Sequence, residues 1–593
     1  MNLIVTKQKG NANDPDIMED IMKDISILIA GSAGQGIQTI GALLAKVCNN
    51  AGLYVFSMDD FESRIRGGHS FHLLRISDKP VQAPCLNPDI LVAIDGKTYK
   101  YHKDTLSSTG MTLLNSGDSK KERLNVYTIP LERMAKDAGG KIASNTVAAG
   151  IVLAVIGAAF IDFERVLKEQ FSDKKKAVLD LNLKAAKSGY DRGKKIQFPV
   201  MFDFTKVEHQ NIVMTGAKAA ALGALAADCR FVPFYPMSPG TSIISNLVQY
   251  ADKLPIVIEQ AEDEIAAVNM AVGASFAGAR SMTATSGGGF CLMTEGLGLA
   301  AMSETPVVII NAQRPGPATG LATRTAQADL LFTIHASQDE FPRFVFAPGG
   351  ILETFNTVKK AFFLSEKYQV PSIILMDQFL ADSAKTEINV FKIGDEHKSF
   401  LDIETTLYQD TNYLRYKITK SGVSPRKIPC DSPSLVRASG NEHTQEGLTF
   451  EDPENRKQMV GKRFQKIELM QKEMTLPSIS HAKSSFLLTA WGSSKGSIVE
   501  AGVKLREEGV DIGWIIFEDI WPLNFDRIKQ ILENKKIIMV EGNATCQLGS
   551  LIRQQTGIGY FETILKYDGR PFYPEYIIEK TKQIITISQN TEC

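Results

Sequence analysis

Phe231-Val232-Pro233-Phe234-Tyr235 followed by Pro236-Met237-Ser238-Pro239-Gly240-Thr241 decides the fold. An apolar run of strand length halts at proline, and a Ser-Pro-Gly-Thr turn that can open a helix comes next. The same grammar repeats downstream. Residues 256–259 run into Glu259-Gln260-Ala261-Glu262-Asp263-Glu264, and 281–285 run into Ser286-Gly287-Gly288-Gly289. Residues 307–311 lead to Arg314-Pro315-Gly316-Pro317-Ala318-Thr319-Gly320, and 372–377 form a last apolar run. Strands alternating with small-residue helices predict an α/β unit with a doubly wound, largely parallel sheet over 207–391. Functional groups in such sheets gather at the carboxyl ends of strands, and here four consecutive ends carry motifs.

Two more units of the same class flank this one. Residues 25–30 form an apolar run, Gly31-Ser32-Ala33-Gly34-Gln35-Gly36 a glycine turn, and 37–47 a helical stretch. The spacing is Gly-x-x-Gly-x-Gly, not the dinucleotide Gly-x-Gly-x-x-Gly, so both a phosphate contact and a packing turn stay open. Strands are expected at 53–57, 69–76 and 90–94. The apolar stretch 147–161 is read as a buried helix, short of the roughly 20 residues a membrane span needs. Together they predict a domain over 23–195 behind a tail of residues 1–22, with 187–195 as a linker because of Gly189, Gly193 and neighbouring basic residues. Arg66-Gly67-Gly68-His69 is a cationic turn, suited to an anion or simply a turn. Residues 392–480 read as a polar insertion or linker ending in a mixed-charge helix near 455–473. Residues 484–593 read as a third α/β unit with strands at 486–489, 511–517 and 536–541. His443, without metal-ligand spacing, is assigned to packing or surface.

Lysine plus arginine number 66 and aspartate plus glutamate 67, a net charge of −1 over 593 residues. No whole-molecule field draws such a chain to nucleic acid or an anionic membrane. The amino terminus lacks the apolar core of a secretory signal, which points to the cytoplasm. Cys48, Cys85, Cys229, Cys291, Cys430, Cys546 and Cys593 stand singly. They read as reduced packing residues, and any iron-sulfur cluster belongs to another chain.

Within the acidic cluster, at about 100° per residue, Glu264 shares a helical stripe with Val268, Ala271 and Ser275, whereas Glu262 faces away with Asn269. A buried carboxyl lacking a permanent cation is costly to ionise and can trade a proton with a ligand nitrogen. The alternative is a solvated helix start whose acids suit the helix dipole. The residue pattern leaves both open.

Tyr235-Pro-Met-Ser-Pro, Glu262-Asp-Glu-Ile-Ala-Ala, Thr285-Ser-Gly-Gly-Gly-Phe and Gln313-Arg-Pro-Gly-Pro-Ala-Thr-Gly resemble, in order and spacing, the alpha subunit of 2-oxoacid:ferredoxin oxidoreductases. The Gly31 to Gly36 unit resembles the family's gamma subunit, a Rossmann-like domain fused in front. Arg415-Tyr-Lys-Ile, Gly422-Val-Ser-Pro and Gly440-Asn-Glu-His resemble the insertion of the 2-oxoglutarate type. Trp491-Gly-Ser-Ser-Lys-Gly and Glu541-Gly-Asn resemble the transketolase C-terminal-like domain.

The resemblance implies a pyrimidine-binding domain for thiamine diphosphate in which Glu264 meets the aminopyrimidine ring as catalytic acid. Arg314 takes the place of the arginine beside the substrate carboxylate. Ser238, where relatives usually have threonine, brings a hydroxyl near cofactor and substrate. Thr319 and Thr323 fall in the substrate-side loop, with Arg324 a further cation there. Gly288 and Gly289 permit close backbone approach beside the pyrimidine. No metal falls to this chain; Mg2+, the diphosphate site and a [4Fe-4S] cluster fall to a beta subunit.

Coenzyme A is the implied co-substrate, with Arg66 to His69 a possible contact, and ferredoxin the acceptor. The assembly implied is a dimer of heterodimers. The implied reaction is oxidative decarboxylation, 2-oxoglutarate to succinyl-CoA, with pyruvate, branched-chain 2-oxoacids or indolepyruvate as alternatives. Other classes weighed are an NAD-linked dehydrogenase built on the Gly31 turn and a non-catalytic assembly or docking subunit. Gly216-Ala217-Lys218-Ala219 departs from the Gly-Asn-Glu-Ala of many relatives.

Overall fold

The apolar run Ile27-Leu28-Ile29-Ala30, with Ile25 before it, leaves little choice but a strand covered on both faces, and Asp24–Ser32 is buried along nearly its whole length. In this computed structural model, residues 23–62, 68–116, 125–198, 202, 204, 211–388, 400–401, 413–430 and 435–591 are described. Asp24–Ser32 pairs in parallel with Ile90–Ala93, which continues in parallel to Met111–Asn115 and Val126–Ile129. Its other neighbour, His69–Ser77, is antiparallel, as is Tyr54–Phe61 beyond it. Ala384–Ile388 and Asn211–Thr215 then extend the same sheet to eight strands. Hydrogen bonding therefore runs across the 195–207 boundary: the strands that open and close the middle unit lie in the first sheet.

The expected helix over 147–161 is two helices, Ser144–Val155 and Phe160–Gln170, because Gly157 adopts a left-handed φ of 92° between them. The expected linker at 187–195 is instead the end of the helix Lys176–Gly193. Its glycines are packing residues: a Cβ on Gly189 would lie 2.1 Å from the Val147 carbonyl oxygen, and one on Gly150 would lie 2.5 Å from that of Ala186. Two helices this close tolerate no side chain at the crossing.

The middle sheet runs Met282–Thr285, Val307–Gln313, Pro371–Asp377 and Phe344–Phe346 in parallel, with Asp519–Trp521 from the carboxyl-terminal region added antiparallel. Phe231–Phe234 and Val257–Gln260 form their own parallel pair, joined to this sheet by one bridge, Phe231 to Ser281. The last sheet orders Ser478–Ser480, Ile512–Phe517, Phe486–Trp491, Lys536–Glu541 and Glu562–Leu565, parallel but for the first. Middle and last sheets share one apolar core, in which Val308, Ile310, Phe344 and Phe346 are continuous with Ile515, Phe517 and Leu548.

The insertion is docked by charge. Pro453–Phe464 and Lys466–Glu473 replace the single mixed-charge helix expected, and Lys462 and Lys466 are fully buried. Both ammonium groups meet the buried carboxylate of Glu304, at 2.5 and 2.6 Å. Arg415, also buried, donates to the carbonyls of Ser303 and Glu304, which end the helix Thr294–Met302. His443 takes the packing role, its ring 4.0 Å from that of Tyr416. No helix among the described residues is long and apolar enough to cross a membrane.

Candidate active site

Asp263 decides where Glu264 points. Its carboxylate accepts the Ala266 N–H at 2.7 Å and so starts the helix Glu264–Phe276 one residue before Glu264. At about 100° per residue, that start turns Glu264 onto the inward stripe with Val268, Ala271 and Ser275, all buried. Glu264 is 2 % exposed, whereas Glu262 precedes the helix and lies in solvent. The Oε1 atom of Glu264 is buried with no hydrogen-bond partner in the protein. A buried polar atom left unpaired costs about 1–3 kcal/mol. Such an atom in a native fold calls for a ligand or another specific reason.

The glycine run makes room for it. Met282–Thr285 ends and the short helix Gly287–Leu292 begins so that Gly289 passes directly over the carboxyl. A Cβ there would lie 2.5 Å from Glu264 Oε1 and 2.1 Å from Thr285 Oγ1. Gly288 faces open space, its nearest neighbour the Ala318 carbonyl at 3.9 Å. Gly289→Ala should therefore push Glu264 aside and lower kcat by about tenfold to a hundredfold, since displacing a reacting group by about 1 Å costs that much. Unchanged kcat in the alanine variant would show that the clearance has no bearing on turnover.

Arg314 stands one residue beyond Val307–Gln313, and its Nη1 donates to the Ser238 carbonyl at 2.7 Å. Ser238 is exposed in the turn after Phe231–Phe234. The turn closes back on the glycine run, since Met237 Sδ lies 4.0 Å from Thr285 Oγ1. Glu264, Gly289, Thr285, Met237, Ser238 and Arg314 thus form one chain of neighbours. No carboxylate among the described residues pairs with Arg314, and burial lowers its pKa.

Thr319 is exposed on the loop after Arg314. Thr323 and Arg324 turn away from the cluster: the Thr323 hydroxyl donates to the Phe61 carbonyl at 2.8 Å, and Arg324 pairs with Asp60 at 2.5 Å. The resemblance puts Thr323 in the substrate-side loop, with Arg324 a further cation there. The amino-terminal sheet presents acceptors that take them first.

Two further carboxyls carried no signal in the sequence, Asp329 just before the helix Leu330–His335 and Asp377 at a strand end. Asp329 lies 2.5 Å from where a Gly287 Cβ would stand. Burial raises its pKa against the opposing hydrogen bond from Asn311. Asp377 ends Pro371–Asp377 and is pushed up to about 6 by burial, although it accepts hydrogen bonds from Ser493 and from the Leu380 N–H. Each sits in an unremarkable local context and is placed only by segments distant in the chain.

Arg66 and Gly67 of the proposed cationic turn lie outside the described residues. His69, next to them, is engaged with His102, their Nε2 atoms 2.6 Å apart. In the Gly31 turn, the Gln35 side chain folds back to accept the Ser32 N–H at 2.7 Å.

The geometry defines an α/β chain whose candidate site groups follow the carboxyl ends of parallel strands. Two family models match: pyruvate flavodoxin/ferredoxin oxidoreductase, thiamine diphosphate-binding, over 222–462, and pyruvate ferredoxin/flavodoxin oxidoreductase over 26–192. The alpha subunit of a Sulfolobus 2-oxoacid:ferredoxin oxidoreductase is 32% identical, over 95% of this chain and 97% of the relative. The 2-oxoglutarate oxidoreductase subunit KorA of Mycobacterium tuberculosis is 25% identical, over 90% and 91%. The solved 2-oxoglutarate:ferredoxin oxidoreductase of Magnetococcus marinus, holding 2-oxoglutarate, coenzyme A and succinyl-CoA, superposes with a TM-score of 0.88 at 30% identity, covering 95% of this chain and 100% of that one. The chain belongs to the 2-oxoacid:ferredoxin oxidoreductase family, as an alpha subunit with a gamma-type region in front.

Proposed function

We propose that this chain supplies the acid and the substrate anchor for coenzyme-A-dependent oxidative decarboxylation of 2-oxoglutarate to succinyl-CoA, with electrons passing to ferredoxin. The observation that carries this reading is the unpartnered Oε1 of Glu264 beneath a glycine where any Cβ would press on that carboxyl. These residues fit the aminopyrimidine of thiamine diphosphate: a buried carboxyl to meet a ring nitrogen, and bare backbone at Gly288 and Gly289 to let a flat ring approach. When bound, that cofactor supplies the nucleophilic carbon and the electron sink for decarboxylation. Glu264 holds or releases a proton at Oε1. Asp263, by capping the helix, keeps that atom aimed inward. Ser238 offers its hydroxyl at the mouth, and Thr319 lies on the same rim.

Arg314 orients the substrate. A planar guanidinium takes a carboxylate in two parallel hydrogen bonds, and the single bond from Nη1 to Ser238 leaves its other N–H groups for that purpose. Arg314→Gln should raise KM for the 2-oxoacid by roughly tenfold to a hundredfold, the worth of a charge-assisted hydrogen bond of about 1.5–3 kcal/mol. An unchanged KM would remove Arg314 from the substrate site.

Tyr235, Val257, Ile265, Leu292 and Leu321 are exposed apolar residues on the segments that carry the site. We assign this surface to a beta subunit, which brings the diphosphate site, Mg2+ and a [4Fe-4S] cluster in a dimer of heterodimers. The seven cysteines of this chain, spaced singly, suit a reducing cytoplasm and not cluster ligation. By the same assignment, residues 23–195 form the gamma-type domain, 207–391 the pyrimidine domain and 484–593 the transketolase-like domain. The preference for 2-oxoglutarate is supported by the named relatives and by the docked insertion. Dye reduction by the purified complex, dependent on coenzyme A and compared across 2-oxoglutarate, pyruvate, branched-chain 2-oxoacids and indolepyruvate, tests it. A complex faster on pyruvate would overturn the substrate assignment.

A further inference from the structure

Asp60 lies in the strand Tyr54–Phe61 of the amino-terminal sheet and is 7% exposed. Each of its carboxylate oxygens takes one guanidinium from a different part of the chain. Arg324 Nη1 is 2.5 Å from Oδ1 and Arg570 Nε is 3.2 Å from Oδ2. The neighbouring Phe61 carbonyl accepts the Thr323 hydroxyl at 2.8 Å. Arg570 follows Gly569, whose carbonyl accepts the Thr325 N–H, and a Cβ on Gly569 would lie 3.1 Å from that of Arg324.

Every one of these contacts falls on the far end of the loop that starts at Arg314. Its near end is held by the Ser238 carbonyl. Between the two anchors, residues 316–321 are exposed, and the Leu321 N–H returns to the Pro315 carbonyl at 3.0 Å. That exposed span carries Thr319 and lays the Ala318 carbonyl beside Gly288. A short loop tied at both ends, exposed in the middle and crossed there by the Leu321 to Pro315 hydrogen bond, keeps its place only as well as its anchors hold, and the far anchor belongs to another sheet.

We propose that Asp60 is a positioning residue: from the amino-terminal sheet it fixes the substrate-side loop, through Arg324 and Arg570, and thereby sets affinity for the 2-oxoacid without touching it. The inference rests on the reading of this loop as the substrate side of the site. A buried carboxylate shared by two guanidinium groups suits such a role, because removing its charge leaves both cations without their partner and frees the loop end.

The test uses the complex with its partner subunit and the variants Asp60→Asn, Arg324→Gln and the double change. Asp60→Asn should raise KM for the 2-oxoacid about tenfold while kcat changes by less than about threefold. Backbone amides of residues 318–324 should exchange hydrogen about tenfold faster. The double variant should be no worse than the poorer single one, because both break one link. Arg570→Gln, at the more exposed end of the clamp, should shift exchange and KM in the same direction by less, and serves if Asp60→Asn does not fold.

Loop exchange and KM that match the unaltered complex would overturn the proposal, as would a loss confined to kcat with unchanged exchange. The functional reading fails separately. An unaltered complex that reduces dye with no 2-oxoacid would sink the assigned reaction, and faster loop exchange in Asp60→Asn would then still establish the clamp while removing its meaning for substrate.

Discussion

Glu264→Gln should cut kcat of the assembled complex by about 10²–10⁴-fold, the range a positioned proton-transfer group contributes, while the protein stays folded. The amide has the carboxyl's shape, so the packing beneath Gly289 and along Val268 and Ala271 is kept. What it loses is the ability to give up and take back a proton at Oε1. A carboxyl with one buried atom unpartnered adds nothing to stability through that atom. Melting of the variant should therefore occur at or slightly above the unaltered temperature, as is common where a site trades stability for activity. Dye-coupled turnover and a melting curve on the same preparation check both halves. Full activity with a lowered melting temperature would make Glu264 a structural acid and favour an assembly role for the chain.

The second large effect belongs to Glu304. Burial raises its pKa, but the charges of Lys466, Lys462 and Arg415 overcome that and hold the carboxyl below the ordinary carboxylate range. Two ammonium groups share one carboxylate while the Arg415 guanidinium stands nearby on the backbone carbonyls, so positive charge exceeds negative in the cluster. Burial, only partly offset by Glu304, lowers Lys462 to about 8. Glu304 also holds a left-handed φ of 48°, a conformation costing an ordinary side chain about 1–2 kcal/mol, so its carboxylate must earn its place at this turn.

Glu304→Gln should destabilise the docking of the insertion by about 3–5 kcal/mol, the cost of leaving buried charge without its partner. Native-state hydrogen exchange in Pro453–Phe464 and Lys466–Glu473 reads this directly, which matters because a chain of several sheets need not unfold in one step. In the unaltered protein the folded pKa of Glu304 lies below its ordinary value of 4.5. Its stabilisation is therefore complete above that pH and is lost as pH falls through the folded value. The variant should show a slope of the same sign, and a steeper one, at alkaline pH. Without the carboxylate the buried lysines give up protons more easily when folded than when unfolded, so stability recovers as pH rises. Exchange in these helices that is unaltered by the substitution would show that the ion cluster does not hold the insertion.

The regular elements were legible where the pattern is local. The apolar runs at 231–235, 281–285 and 307–311 became the strands Phe231–Phe234, Met282–Thr285 and Val307–Gln313, and the motifs fell at their carboxyl ends. Helical spacing picked Glu264 over Glu262. The glycines at 189 and 193 misled because a loop and a close helix crossing ask for the same residue. The mixed-charge helix near 455–473 said nothing of its burial, because a solvated face and a buried ion cluster look alike until the partner carboxylate is known.

By itself the sequence determined the strand ends, the helical stripe that Glu264 shares with Val268, Ala271 and Ser275, and the family, all properties that depend on residues within a few positions of one another. Only the tertiary structure decided that Oε1 of Glu264 has no partner, that Thr323 and Arg324 answer to the amino-terminal sheet, and that Lys462 and Lys466 are buried. Those outcomes turn on contacts such as Thr323 to Phe61, 262 positions apart, and Lys466 to Glu304, 162 apart. No local pattern encodes which distant acceptor arrives first.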